Sequence, residues 1–224
     1  MSMIPDKPPF KLLDILYKKE FILFVVLITI LIINSNLTPY FLDLYNLIDS
    51  TFLFSEKAII ALTMTFVIIA RQIDLSVASI IAVSSVVLGY TTSLGYDTWL
   101  VISLTLLSGA LCGAFNGAII TKFAIPSIIV TIGTMSLFRG LAYSFLEDSY
   151  YNKFPKIVSN LGSGYLFGYI PYAFLTFILL ALVFAFILHK TTVGKKIFSI
   201  GNNPDAAQYT GIAVDKYTFV LFTL

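Results

Sequence analysis

The sequence has a single cysteine, Cys112, and a single histidine, His189, among its 224 residues. One thiol cannot form a disulfide within the chain, and two isolated soft ligands cannot build a structural zinc site. Charged residues are also scarce, at 12% of the chain, which is about half the share found in soluble domains. The sequence therefore excludes a disulfide-stapled secreted fold, and we expect no bound metal.

Motifs for nucleotide binding and for hydrolysis are missing as well. There is no G-x-x-x-x-G-K-[ST] phosphate loop, because Gly194, Lys195 and Lys196 lack both the upstream glycine and the hydroxyl that would meet magnesium. Neither H-E-x-x-H nor G-x-S-x-G occurs. We therefore expect no catalytic residue, no cofactor and no nucleic-acid partner. His189, which has no second histidine or acidic cluster near it in sequence, is expected at a membrane edge without a chemical role.

Apolar side chains make up 58% of the chain, which predicts an integral membrane protein. Lysines within residues 1–20 precede the first apolar run and give it the look of a signal peptide. No small-residue cleavage site follows this run, so we expect an uncleaved first span.

The hydrophobic runs predict an all-α, polytopic transmembrane helix bundle. Six full spans are expected, at residues 21–37, 51–70, 77–94, 99–120, 126–146 and 166–188. Residues 218–224 are too short to span and are expected to begin a seventh helix. The predicted organisation is therefore a segment of residues 1–20, a bundle of residues 21–188, a loop of residues 189–217 and the start of a further span.

Lysine and arginine near the ends of spans predict the orientation. The amino-terminal segment is rich in lysine, whereas residues 34–50 contain Asp43 and Asp49 and no lysine or arginine. We therefore expect the amino terminus and residues 189–217 in the cytoplasm. Residues 147–165 are expected outside, with Lys153 and Lys156 as exceptions to the rule.

The first polar interruption of the hydrophobic runs covers residues 71–80, where Asp74 and Ser76 lie between two apolar runs. A polar break at a helix junction leaves backbone groups that protein or water must satisfy, so it belongs inside the bundle or at its inner face. Two roles stay open. These side chains border a polar path, or one of them caps the first turn of the third span.

The fourth span carries Gly109, Gly113 and Gly117 at intervals of four residues. Such a row lies on one helix face and lets another backbone come close, so we predict helix packing there. Asn116 lies beside this row. Its amide either bridges helices or faces a polar path.

The fifth span is the most polar of the long spans, and we expect it in the centre of the bundle. Pro126 starts or kinks this helix. The polar and small residues that follow are Ser127, Thr131, Gly133, Thr134, Ser136 and Arg139. Arg139 has either a partner or a water-filled cavity within the bundle, or it extends its side chain to the interface.

The long polar segment after the sixth span contains the signals of a short helix. Asn203 can cap a helix through its side-chain oxygen, Pro204 fits the first turn, and Gly211 suits the exit. These positions predict a helix of about two turns from Pro204 to Thr210.

Three segments resemble the permease subunits of ATP-binding-cassette importers, in the monosaccharide branch that includes ribose, xylose, rhamnose and autoinducer-2 permeases. Residues 205–211 resemble the acidic-Ala-Ala-x-x-x-Gly loop by which such permeases dock on their ATPase, within a longer match over residues 192–216. Residues 71–80 resemble Gly-Gly-Ile-Asp-Leu-Ser-Val-Gly-Ser, with Arg71, Gln72 and Ala78 in place of three glycines. Residues 116–141 form the longest match. The departures leave the sugar undetermined, although rhamnose-type relatives are expected to tolerate them.

The resemblance implies a permease subunit of an ATP-driven bacterial sugar importer in the inner (plasma) membrane, not an enzyme. It implies cytoplasmic ATPase subunits that hydrolyse ATP, a second permease subunit, identical or different, and a periplasmic or lipid-anchored sugar-binding protein. The coupling loop would comprise Gly201, Asn202, Asn203, Pro204, Asp205, Ala206, Ala207 and Gly211. Ala206 and Ala207 are small enough to seat against the ATPase.

The translocation path is expected to use polar side chains and the residues that shape the fifth span, because hydroxyls and amides can pair with sugar hydroxyls. The candidates are Asp74, Ser76, Asn116, Pro126, Thr131, Gly133, Thr134 and Arg139. Two alternatives stay open. An ion-coupled carrier or channel would use Asp74 and Arg139 for coupling. A truncated, non-transporting remnant is also compatible, because chains of this family continue through further spans.

Overall fold

The computed structural model describes residues 19–146 and 150–224. The described residues form helices and one short hairpin. The helices are α1 (Lys19–Leu37), α2 (Leu44–Ile69), α3 (Val77–Ser93), α4 (Thr98–Phe123), α5 (Ser127–Leu146), α6 (Lys156–Ser163), α7 (Tyr172–Lys190), α8 (Thr192–Asn202), α9 (Pro204–Tyr209) and α10 (Val214–Thr223). The hairpin strands are β1 (Tyr165–Leu166) and β2 (Ile170–Pro171), which pair antiparallel.

The chain divides into two compact units, residues 1–50 and residues 51–224. In the first unit, α1 has no buried residue, and its polar side chains bond to its own backbone. Thr29 Oγ1 donates to the Val25 carbonyl and Asn34 Nδ2 to the Ile30 carbonyl, each at 2.8 Å. Such bonds satisfy polar groups where no water is at hand, as a helix facing lipid requires. Of the predicted segment 1–20, only Lys19 and Glu20 lie within the described residues.

Among the described residues, five helices are long and apolar enough to cross a membrane: α1, α2, α4, α5 and α7. The all-α polytopic prediction is confirmed at this level. The third expected span is α3, whose 17 residues extend about 26 Å, somewhat less than a hydrocarbon core of about 30 Å. The count of six full spans therefore stays a prediction.

The predicted start of the sixth span was wrong. Residues 166–171 belong to the hairpin, and α7 begins at Tyr172 and continues to Lys190. Phe167 and Gly168 both have positive φ, 53° and 78°, which is the backbone of a tight hairpin turn. Apolar composition alone cannot distinguish such a turn from the first turn of a helix. In addition, α6 occupies part of the expected outer loop, whose residues 147–149 lie outside the described range.

The helix expected to begin a seventh span is α10, and it begins earlier than predicted, at Val214 instead of residue 218. It packs along α4 at the expected glycine row. A Cβ on Gly113 would overlap the Phe222 carbonyl, and one on Gly117 would lie 3.0 Å from the Phe219 carbonyl oxygen. The prediction of close packing at these two glycines is confirmed.

The core of the second unit gathers at one end of the bundle. It joins buried apolar residues from α2, α4, α5, α7, α8, α9 and α10, among them Phe66, Ile120, Val130, Leu188, Ile200, Ala207 and Leu221. The segment after α7 is therefore packed onto the bundle over much of its length.

Candidate functional site

The junction between α2 and α3 is closed by a helix C-cap that uses Arg71 in a left-handed conformation. Its φ is 59°, the Arg71 amide donates to the Ile68 carbonyl (2.9 Å), and the Gln72 amide donates to the Val67 carbonyl (3.0 Å). This pair of bonds is the Schellman pattern, in which glycine is favoured because a side chain is strained there. Arg71 thus has a left-handed backbone conformation, which glycine adopts without strain, so a glycine would suit this position.

A buried polar relay links this junction to α4. Ser76 donates to Asp74 Oδ1 twice, from its amide (2.7 Å) and from its hydroxyl (2.6 Å). Because that hydroxyl proton is committed, Ser76 Oγ accepts from Asn116 Nδ2 at 2.8 Å. Ser76 and Asn116 are fully buried and Asp74 is 8% exposed. Asn116 is therefore a bridge between helices, and Ser76 makes no side-chain cap bond to α3.

The same junction is joined to α5 through Ile73. The Ile73 amide donates to Ser127 Oγ at 3.1 Å. Thr131 Oγ1 lies 2.9 Å from the Ser127 carbonyl oxygen and 3.4 Å from the Ile73 carbonyl oxygen. One turn later, Thr134 Oγ1 lies 3.4 Å from the Thr131 carbonyl oxygen. The segment between α2 and α3 is thus hydrogen-bonded to the first turns of α5.

The structure therefore brings together Asp74, Ser76, Asn116 and Thr131, with Thr134 buried one turn away. It does not bring the other candidates to this junction: Pro126, Gly133 and Arg139 are exposed on α5 or just before it. A cavity of about 450 Å³ lies between α2, α3, α4 and α10, and Asp74 lines it. Two buried polar atoms near this junction, Asn116 Oδ1 and Ser79 Oγ, have no hydrogen-bond partner among the described residues.

The segment before the predicted capped helix is itself helical, which sequence reasoning missed. Thr191 caps α8 by accepting from the Gly194 amide at 3.4 Å, and Ile197 and Ile200 are each 1% exposed. A Cβ on Gly201 would overlap the Ile69 carbonyl, so α8 lies directly against the end of α2. The signal was present as an apolar i, i+3 pair behind a threonine, a pattern typical of an amphipathic helix.

The predicted short helix is present as α9, and its end signals act as expected. Asn203 Oδ1 accepts from the Ala206 amide at 3.0 Å, Pro204 occupies the first turn, and Gly211 has a φ of 86°. The helix ends at Tyr209, one residue before the predicted end.

The expectation that both alanines of α9 seat against a partner needs correction. Ala207 is 4% exposed and belongs to the chain's own core, because the helix face that carries it turns toward the bundle. Ala206 is exposed, together with Asp205, Gln208 and Tyr209. Tyr209, which sequence reasoning did not single out, is 91% exposed.

His189 lies at the end of α7 without the surroundings of a reactive site. Its Nδ1 is 3.0 Å from the Ala185 carbonyl oxygen, and its ring meets Phe198 edge-on. Among the described residues there is no group of three or more metal-ligating side chains.

Comparison with known protein families identifies the family to which the chain belongs. The family described as "Branched-chain amino acid transport system / permease component" matches residues 46–224. The chain belongs to this permease family. The match begins near the start of α2 and includes the polar junction, α5 and the α8–α9 segment.

The individual proteins that the chain resembles include permeases for the import of ribose and of autoinducer 2. The chain is 34% identical over 211 residues to the autoinducer 2 import system permease protein LsrD of Klebsiella pneumoniae, covering 92% of this chain and 63% of that protein. It is 32% identical over 208 residues to the ribose import permease protein RbsC of Haemophilus influenzae, covering 90% and 63%. It is 31% identical over 201 residues to LsrC of Photorhabdus luminescens, covering 88% and 60%. The chain thus spans less than two thirds of these relatives, and no solved structure matches it.

Proposed function

We propose that this chain is the transmembrane permease subunit of a bacterial ATP-driven importer for a monosaccharide or a related furanose. The observation that carries the proposal is the family match over residues 46–224, because it covers both the polar junction and the capped helix α9. The five helices of spanning length support a role within the membrane. The names of the relatives, which specify ribose and autoinducer 2, support the substrate class.

The exposed face of α9 is proposed as the docking surface for a cytoplasmic ATPase. This face presents Asp205, Ala206, Gln208 and Tyr209, while Ala207 holds the helix on the bundle. Tyrosine is well suited to such a contact because its ring offers apolar area and its hydroxyl offers a hydrogen bond. Asn203, Pro204 and Gly211 set where the helix starts and where the chain leaves it.

Rigid contacts give the coupling a physical route. The close approach of Gly201 to Ile69 ties α8 to α2, and the Ala207 amide and carbonyl connect α9 to Asn203 and Ile212 through backbone bonds of 2.9 and 3.1 Å. An ATPase that binds this face more tightly in one nucleotide state would shift the population of bundle conformations. Gly201 and Asn202 therefore belong to the link between docking surface and membrane helices.

Two kinds of residue are proposed for the path. Asp74, Ser76, Asn116, Thr131 and Thr134 hold the junction of three helices in shape, since each makes a hydrogen bond within the chain, although Asn116 Oδ1 has no partner among the described residues. Pro126, Gly133 and Arg139 lie on the exposed part of α5 and its start, where a sugar or a second permease subunit can reach them. We further propose that the chain pairs with a second permease subunit and receives its sugar from a binding protein. We also propose that it lies in the inner membrane with its amino terminus in the cytoplasm.

The experiment is sugar uptake in cells that carry this chain together with an ATPase and a sugar-binding protein of an importer of this family. We expect accumulation of a labelled sugar, with ribose as the first probe of a pentose and hexose panel. Uptake should cease when the ATPase carries a disabled phosphate loop. Uptake that persists without the ATPase and collapses with the ion gradient would instead show an ion-coupled carrier. Absence of uptake despite stable insertion would support the remnant.

A further inference from the structure

A second cavity lies between α3, α5 and residues 150–154, and it is lined by aromatic rings. Its volume is about 380 Å³, within the range of small-molecule sites. The lining side chains that carry chemistry are Ser85, Arg139, Tyr143, Tyr150, Tyr151 and Phe154. Of the polar and small residues that the sequence singled out along α5, only Arg139 lines this cavity, and the tyrosines were not predicted as site residues.

One of these rings fixes the wall of the cavity. A Cβ on Gly89 would lie 2.5 Å from two ring atoms of Tyr151, so Tyr151 packs directly on the backbone of α3. This contact holds residues 150–154 beside α3 and α5. Tyr143 and Tyr150 are 64% and 80% exposed, so much of their surface is open to a ligand.

The chemistry of the lining favours a neutral sugar. A sugar ring has C–H faces that pack on aromatic rings and a rim of hydroxyls that needs donors and acceptors. The tyrosine rings match the faces, while their hydroxyls, Ser85 and the guanidinium of Arg139 match the rim. Arg139 is the one charged residue among the described residues that line the cavity. A single guanidinium offers few charge-assisted hydrogen bonds to a phosphate, but it can donate to sugar hydroxyls.

The position of the cavity fits a site that a substrate meets first. Ile73 is bonded to Ser127 at the start of α5, and α8 lies against Ile69 nearby, so the junction and α8 share one end of this unit. Arg139 lies twelve residues further along α5, about 18 Å from that end. The cavity is therefore displaced along α5 from the proposed ATPase docking face, toward the opposite side of the bundle.

We propose that this aromatic cavity is an outer binding site for a neutral monosaccharide or furanose, stacked on Tyr143 and Tyr150 and hydrogen-bonded by Arg139. The inference rests on the proposed importer function and adds the residues that receive the sugar. Tyr151 positions the site through Gly89 and does not need to touch the sugar.

The first test is uptake of ribose, or of the transported sugar that the panel identifies, by the assembled importer. Tyr143→Ala, Tyr150→Ala and Arg139→Ala should each lower uptake on the order of tenfold at limiting sugar, as loss of an aromatic or arginine anchor does. Tyr143→Phe should retain most of the uptake because the ring face remains. The matched control is Tyr169→Ala, which removes an equally exposed tyrosine (64%) from the hairpin turn.

The second test measures occupancy directly. Tyr143→Cys is introduced after Cys112→Ser, and labelling by a water-soluble thiol reagent is followed in the assembled importer with and without the transported sugar. We expect the sugar to slow labelling, and a lipid headgroup analogue to leave it unchanged. Unchanged labelling with sugar, protection by the headgroup analogue alone, or normal uptake in all three alanine variants would overturn the site while leaving the importer function intact. A wild-type assembly that transports no sugar would remove both.

Discussion

At the scale of single residues, the polar groups of the junction between α2 and α3 act mainly on one another. The Ser76 hydroxyl donates its hydrogen bond to Asp74. Its oxygen is then free to accept a hydrogen bond from Asn116. A buried polar group that loses its partner costs about 1 to 3 kcal/mol, more than the bond itself contributes. The relay therefore helps to specify how α3 and α4 meet, because a shift between these helices separates the buried Asn116 amide from Ser76.

Ser76→Ala is expected to destabilise the chain by about 1 to 3 kcal/mol, because Asp74 loses a donor and Asn116 loses an acceptor. The measurement is thermal unfolding of the detergent-solubilised protein. Ser93→Ala is the control, since Ser93 is exposed in the last turn of the same helix and bonds only to the Tyr90 carbonyl. Equal stability of the two variants would show that the relay is not a stabilising contact.

At the scale of elements, α9 has one face buried on the bundle and one face exposed. Its six residues are too few to be stable as an isolated helix, so the Asn203 cap and the burial of Ala207 hold it in place. Adjacent alanines thus point to different surroundings, Ala207 into the core and Ala206 to the outside.

Tryptophan at these two positions is expected to separate folding from docking. Ala207→Trp overpacks the core, which typically costs about 1 to 3 kcal/mol, and should lower the unfolding temperature. Ala206→Trp leaves the core intact and should instead reduce copurification of the ATPase and its sugar-stimulated ATP hydrolysis. Each variant serves as the control for the other. If Ala206→Trp binds and stimulates the ATPase as wild type does, α9 does not dock through this face.

At the scale of the whole molecule, five helices among the described residues are long and apolar enough to cross a membrane, and the segment after α7 packs on the core of the second unit. The distribution of lysine predicts which side of the membrane each connection faces. Folding of residues 189–213 onto the bundle does not depend on that assignment, so the orientation is tested separately.

Reporter fusions are expected to show the orientation directly. A reporter joined after Lys19 or Lys196 should behave as cytoplasmic, and one inserted at Lys153 as external, because lysine near span ends is retained inside. The measurement pairs an enzyme active only in the cytoplasm with one active only outside. Fusion after Lys190 provides an internal check, since it should agree with Lys196. The reverse pattern at all positions would overturn the predicted topology and the docking side with it.

The sequence by itself determined the class of this protein, the approximate positions of its long helices, the start of α9 and, to within one residue, its end. These features depend on local properties: apolar runs of spanning length, a side-chain cap at Asn203, a proline in the first turn and a glycine with positive φ. The row of Gly113 and Gly117 also revealed, without a structure, that a second backbone passes close to α4.

Only the tertiary structure decided which side chains share an environment. Asp74 and Asn116 are 42 positions apart and meet through Ser76, and Tyr151 reaches Gly89 across 62 positions, so no local pattern indicates either contact. Ala206 and Ala207 are the same residue type with the same helix propensity, yet the orientation of α9 against the bundle buries Ala207 and exposes Ala206. Residues 166–171 are apolar enough for a helix, but the positive φ values of Phe167 and Gly168 make them a hairpin. In each case the outcome depends on how elements pack, which is a property of the folded chain and not of any single segment.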